Sequence, residues 1–177
     1  PKAHAAAYVT MAFRIAWFKV HIKEAYYAAF LSIRADEFDS DSMLYGKEKV
    51  KEKMREIDAQ GNSASQKDKN MYPILEIVLE MNERGVEFLP VDIYKSDVKK
   101  FLVEGDKIRP PLSKLTGFGE VDAGKLVEAR KDGKFTSIDQ MITKSKIGKV
   151  AVETLQAAGC LDGMPRSEQM DMFDLMG

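Results

Sequence analysis

A single cysteine, Cys160, and two histidines, His4 and His21, stand among 177 residues. One cysteine excludes an internal disulfide framework and fits a reducing cytoplasm. So few soft ligands, so widely spaced, exclude a zinc cluster. Long apolar runs are absent as well. No stretch approaches the roughly 18 residues of a spanning helix, so neither a transmembrane segment nor a membrane partner is expected. The opening Pro1-Lys2-Ala3-His4 has no Met and no basic-then-apolar leader. It predicts no signal peptide and a piece cut from something longer. An excess of one charge is also missing, with 27 Lys/Arg against 28 Asp/Glu.

What is present is a 45% hydrophobic and 31% charged chain. That supplies one ordinary core or two small ones, and too little for a large catalytic body. The even balance hides a local bias. Residues 95–165 carry 13 Lys/Arg against 10 Asp/Glu, whereas residues 1–94 carry 13 against 15 and residues 166–177 carry 1 against 3. The basic excess falls in one segment, where a polyanion partner would sit.

Residues 3–20 are dense in alanine and predict a helix, with Ala5, Tyr8, Ala12, Ile15 and Phe18 near a 3.6-residue period. Trp17 and Phe18 are expected in the core. A second helix is expected over Lys23–Arg34. Ser42 suits the cap of a third, running to about residue 59 with Gly61 as its stop and a Lys/Glu-rich solvated face. The run Asp36, Glu37, Asp39 and Asp41 reads as a solvated loop. A fourth helix should follow, closed by Gly85, with Ile74, Ile77, Val78 and Met81 as its apolar stripe. Pro73 must be either its first turn or a kink. Residues 91–94, residues 101–103 and Ile108 after Gly105-Asp106 predict short strands, and the domain boundary is placed near residue 95.

Residues 112–127 carry Leu112, Leu115, Gly117-Phe118-Gly119, Ala123 and Leu126. This spacing resembles the helix-hairpin-helix motif. A tight turn between helices needs glycine where a Cβ would clash or forbid positive φ. The turn and the next helix then offer free backbone N–H groups, which with the helix dipole make an anion site suited to a DNA phosphate. Phe118 belongs to the motif's DNA-facing bend, but its side chain is expected as a plug between the helices. Lys125 lies on the following helix. A second copy, Lys146-Ile147-Gly148 with Val152 and Leu155, has lysine in place of the first glycine, which puts its turn geometry in doubt. Lys144, Lys146 and Lys149 add positive charge there. Cys160 is expected to be a buried structural thiol.

After Pro165 the chain places Met172, Phe173 and Leu175 on an acidic background. Short peptides dock such anchors into preformed grooves. Gln169, Met172 and Phe173 resemble the bacterial sliding-clamp-binding motif; the alternatives are a tail folded back on its own domain or a disordered end.

Residues 1–9, Met11 to His21, Glu24 to Phe30 and Leu75 to Met81 before Arg84-Gly85 resemble the fingers of bacterial DNA polymerase III α subunits. The order of segments is that of the PolC type. The resemblance implies a replicative DNA-directed DNA polymerase as parent, with fingers over residues 1–95, tandem hairpins over 96–165 and a clamp-binding tail over 166–177. It implies Lys2, His4 and Tyr8 near the nascent base pair and incoming nucleotide. Arg14 and Lys19 belong either to phosphate contacts or to a solvated face. The implied partners are primer-template duplex DNA, an incoming dNTP, the bacterial sliding clamp (beta) and the palm and other domains of the same polymerase. The catalytic aspartates and their two Mg²⁺ ions are implied in the palm, with no metal ligated by these residues and no polymerisation by them alone. The expected fold is mainly α, with a small β element between the helical fingers and the tandem hairpins. The rival readings are a non-enzymatic helix-hairpin-helix DNA-binding adaptor and a scaffold whose hairpins are structural only.

Overall fold

The computed structural model describes residues 2–167. It is mainly helical, with eight α-helices and a small three-stranded sheet among those residues. The chain folds into two compact units. Among the described residues, one comprises residues 2–89 with 100–109, and the other residues 90–99 with 110–167. The division is therefore interleaved, where a single cut near residue 95 was expected.

In the first unit, α1 (Lys2–His21) and α2 (Lys23–Arg34) follow each other almost without a break. Helix α3 (Ser40–Met43) is one turn long, capped by the Asp39 carboxylate, which accepts from the Ser42 amide. Gly46, at φ +88, then separates it from α4 (Lys47–Gln60). The expected single helix capped by Ser42 is thus two helices, and Asp39 is a cap instead of one more solvated acid. Helix α5 (Gln66–Glu83) starts on a Ser65 cap and carries Pro73 in its interior, past the first turn. It ends on a Schellman motif, with Gly85 N–H donating to Asn82 and Val86 N–H to Met81. Its buried stripe is Ile74, Leu75, Val78 and Met81, with Leu75 in the place expected for Ile77. Strands β1 (Glu87–Phe88), β2 (Leu102–Glu104) and β3 (Lys107–Arg109) form a sheet of order β1-β3-β2. Phe38, Phe88 and Phe101 cluster with ring centroids 5.3–5.9 Å apart against this core.

The expected core role of Trp17 and Phe18 does not hold: they are 51% and 48% exposed, and α1 buries no residue at all. Its apolar residues lie all round the helix instead of on one stripe, so one neighbouring helix cannot cover them. Lys19 is tied down, with its ammonium 2.8 Å from Glu80 and above the Tyr26 ring.

In the second unit, the segment predicted as a strand at residues 91–94 is a turn. The Asp92 carboxylate accepts from the amides of Tyr94 and Lys95, which bends the chain out of any ladder. Val91 and Ile93 still point inward, so the alternation that mimics a strand is real. Helices α6 (Glu120–Ala129), α7 (Ile138–Ser145) and α8 (Lys149–Ala157) pack around Leu112, Phe118, Leu126, Met141, Ile147 and Leu155.

Candidate nucleic-acid interface

Gly117 opens the first bend at φ +90, and a Cβ there would meet the Thr154 hydroxyl at 3.2 Å. Both the backbone shape and the close approach therefore require glycine. Phe118 follows, 2% exposed, with its amide donating to the Leu115 carbonyl at 3.0 Å. Neither its ring nor its amide is offered to a ligand. It is the plug, and its place among DNA-contacting residues is corrected on that ground. Gly119 then adopts φ −76, ψ 159 and caps α6 without a side chain. The Ala123 amide returns to the Gly119 carbonyl at 3.0 Å, and the amides of Glu120, Val121 and Asp122 meet no acceptor among the described residues. The chain preceding the bend is a short 3-10 turn (Leu112–Lys114) and not a full helix.

The second bend has the same shape. Lys146 is left-handed at φ 54, ψ 33, Ile147 is buried at 4% exposure, and Gly148 caps α8 at φ −75, ψ 166. Lys146 is the one non-glycine residue with positive φ among the described residues, so the doubt about this turn is resolved in favour of a true hairpin. The Val152 amide returns to the Gly148 carbonyl, leaving the amides of Lys149, Val150 and Ala151 without acceptors among the described residues.

Helix α7 provides the contrast. Ser137 accepts from the Gln140 amide, and the carbonyls of Pro165 and Arg166 accept from Ile138 and Asp139 at 2.9 and 3.0 Å. Its N-terminus is closed within the fold, while those of α6 and α8 are open. Open N-termini gather positive potential, and this is what seats an anion. In α6 that potential is opposed by Glu120 and Asp122 in the first turn, but each acid is held by a lysine. Lys99 lies 2.6 Å from Glu120 and Lys125 lies 2.8 Å from Asp122. Lys99 carries no motif signal in the sequence. Helix α8 has no acid in its first turn and bears Lys149, its side chain 90% exposed.

The other expected site residues stand as follows. Lys2, His4 and Tyr8 are exposed on α1, with the His4 and Tyr8 rings 4.6 Å apart edge to face. Gln169, Met172 and Phe173 lie outside the described residues. Cys160 is largely covered, its thiol donating to the Val91 carbonyl at 3.4 Å, and burial with Asp92 and Asp162 nearby pushes it up to about 12. It is no nucleophile at neutral pH. No group of three or more His, Cys, Asp or Glu side chains among the described residues could hold a metal ion, and no helix there is long and apolar enough to cross a membrane.

Residues 85–170 match the family model of the helix-hairpin-helix motif. Over 173 residues, 98% of its length, the chain is 48% identical to DNA polymerase III PolC-type of Clostridium perfringens. Over the same length it is 46% identical to the protein of that name from Caldanaerobacter subterraneus and 43% identical to that of Bacillus subtilis. The chain is homologous to PolC-type DNA polymerase III. It spans 12% of the length of these relatives, so a PolC-type protein is about eight times larger than the segment described.

Proposed function

We propose that this chain is a part of a replicative DNA polymerase that grips duplex DNA by its backbone phosphates, without reading base sequence. The observation that carries the reading is the pair of glycine-capped helices, α6 and α8, whose bends share one backbone geometry and whose first amides are unmet while those of α7 are closed. Two anion seats held in fixed register suit two phosphates of one duplex. The match to the hairpin model and the homology along 98% of the chain support it.

The finer reading assigns the first unit, residues 2–89 with 100–109, to the fingers, with Lys2, His4 and Tyr8 toward the nascent base pair and incoming nucleotide. It assigns residues 90–99 with 110–165 to the duplex grip and residues 166–177 to the sliding clamp, through Gln169, Met172 and Phe173. The exposure of Lys2, His4 and Tyr8 agrees with a ligand-facing role. The two Mg²⁺ ions of phosphoryl transfer need clustered carboxylates. On this reading the ions belong to the palm of the parent enzyme, in a reducing cytoplasm, and this segment by itself should incorporate no nucleotide.

Proline at the first helical position tests the grip. Gly119 and Gly148 already hold the extended conformation that a following proline demands, so Glu120→Pro and Lys149→Pro each delete one amide donor and leave the helix intact. Glu120→Gln and Lys149→Gln remove the same charges and keep the amide. Relative to its glutamine counterpart, each proline variant should bind a primer-template roughly tenfold more weakly by fluorescence anisotropy. Affinity should also fall steeply with salt in every case. Equal binding by the proline and glutamine variants would end the amide-seat reading.

The finer assignments are tested in the parent polymerase. Tyr8→Ala should raise the nucleotide KM, and deletion of residues 169–173 should abolish clamp-stimulated synthesis, each with duplex affinity unchanged. A KM or a clamp response that stays put removes the corresponding assignment.

A further inference from the structure

The two hairpins repeat at a separation of 29 residues, read from Gly117 and Lys146. Aligned by that repeat, the first helical residues are Glu120 and Lys149 and the third are Asp122 and Ala151. These differ in charge and size. The second is valine in both, Val121 and Val150, and the two are 73% and 68% exposed. A β-branched side chain is a poor helix former, and an isopropyl group in water gains nothing from its own fold. Two helices, α6 and α8, carry the same disfavoured residue at the same place.

The position has a direction. Every Cα–Cβ bond in an α-helix tilts toward the N-terminus, so a second-position side chain leans to the side where the unmet amides point. A phosphate seated on the amides of α6 or α8 carries its sugars to that side. An isopropyl group suits the C–H face of deoxyribose. A 2′-hydroxyl against it would lose its water and find no partner, which is the group by which proteins tell RNA from DNA.

We propose that Val121 and Val150 are paired sugar contacts that make the duplex grip selective for deoxyribose over ribose. The inference rests on the phosphate-seat reading above. The binding partner it specifies is a duplex whose gripped strand is DNA.

The test uses the 177-residue chain and two duplexes of one sequence, all-DNA and all-RNA. Threonine has the shape of valine with one methyl exchanged for a hydroxyl, so Val121→Thr with Val150→Thr changes polarity and leaves the exposed helix turns folded. Wild type should favour DNA, and the double variant should lose roughly tenfold of that DNA-over-RNA ratio by gaining RNA affinity through a new hydrogen-bond partner. Duplex shape differs between DNA and RNA, but it is common to both proteins and cancels from the change in ratio. A ratio that is the same in wild type and double variant overturns the sugar contact, whether or not overall affinity moves. Glu120→Pro with Lys149→Pro should lower binding to both duplexes and leave the ratio where it was. If those prolines have no effect, the amide-seat reading fails and takes this one with it. If they weaken binding while the threonines leave the ratio alone, the sugar contact alone fails.

Discussion

At position 146 a lysine holds the left-handed backbone that glycine holds at 117. An L-residue in that region is disfavoured by roughly 1–2 kcal/mol. Lys146→Gly should therefore raise stability, by up to about 1 kcal/mol after the larger unfolded-state entropy of glycine is offset. The same change removes a cation, so the salt dependence of duplex binding should become shallower by about one unit of slope. Gly117→Ala runs the other way. It places a Cβ at φ +90 and 3.2 Å from the Thr154 hydroxyl, and thermal unfolding should show a loss of about 1–2 kcal/mol or more. If both substitutions moved the melting temperature in one direction, the two bends would not share a backbone state. The sequence makes the first bend legible through its two glycines, and Phe118 as its plug. It leaves the second open, because a lysine's chemistry says nothing of the φ it will accept once Ile147 is buried beside it.

At the scale of elements, the short polar contacts decide what hydrophobic periodicity cannot. The terminal Lys19 of α1 reaches Glu80 of α5 at 2.8 Å, and Arg84 reaches the other Glu80 oxygen at 2.8 Å. Partial burial works to raise the Glu80 carboxyl, but the Lys19 bond and charge and the Arg84 charge outweigh it and hold it below the ordinary 4.5. A carboxyl lowered in the folded state contributes stability above its unfolded value and loses it as pH falls through the folded one. The melting temperature of wild type should exceed that of Glu80→Gln at neutral pH, and the gap should close below about pH 4.5. A gap constant across that range would mean the ion pair contributes nothing. Helix ends such as Gly61 and Gly85 are legible because glycine at positive φ leaves a clear mark. The Asp92 turn and the Asp39 cap are not, since a carboxylate that accepts backbone amides looks in sequence like any loop acid. The open ends of α6 and α8 follow from glycine caps that the motif announces. The closed end of α7 depends on Pro165 and Arg166, 27 residues downstream of Ile138 and Asp139, and no local pattern foretells it.

For the whole molecule, the decisive length is that of the PolC-type relatives, of which this chain spans 12%. A 20-residue helix with no buried side chain, apolar on every face, is reasonable inside a larger protein and awkward in water. Trp17 sits on it, 51% exposed, and is the only tryptophan in the chain. That coincidence turns the molecule into its own optical gauge. In the free chain acrylamide should quench the indole readily and its emission should lie to the red. Once the helix is covered, quenching should drop and the spectrum move to the blue, with no label attached. An indole already shielded in the dilute free chain would contradict the bare helix. On the proposed reading, a shift on mixing with the remainder of the polymerase would report that the surface around Trp17 has been covered.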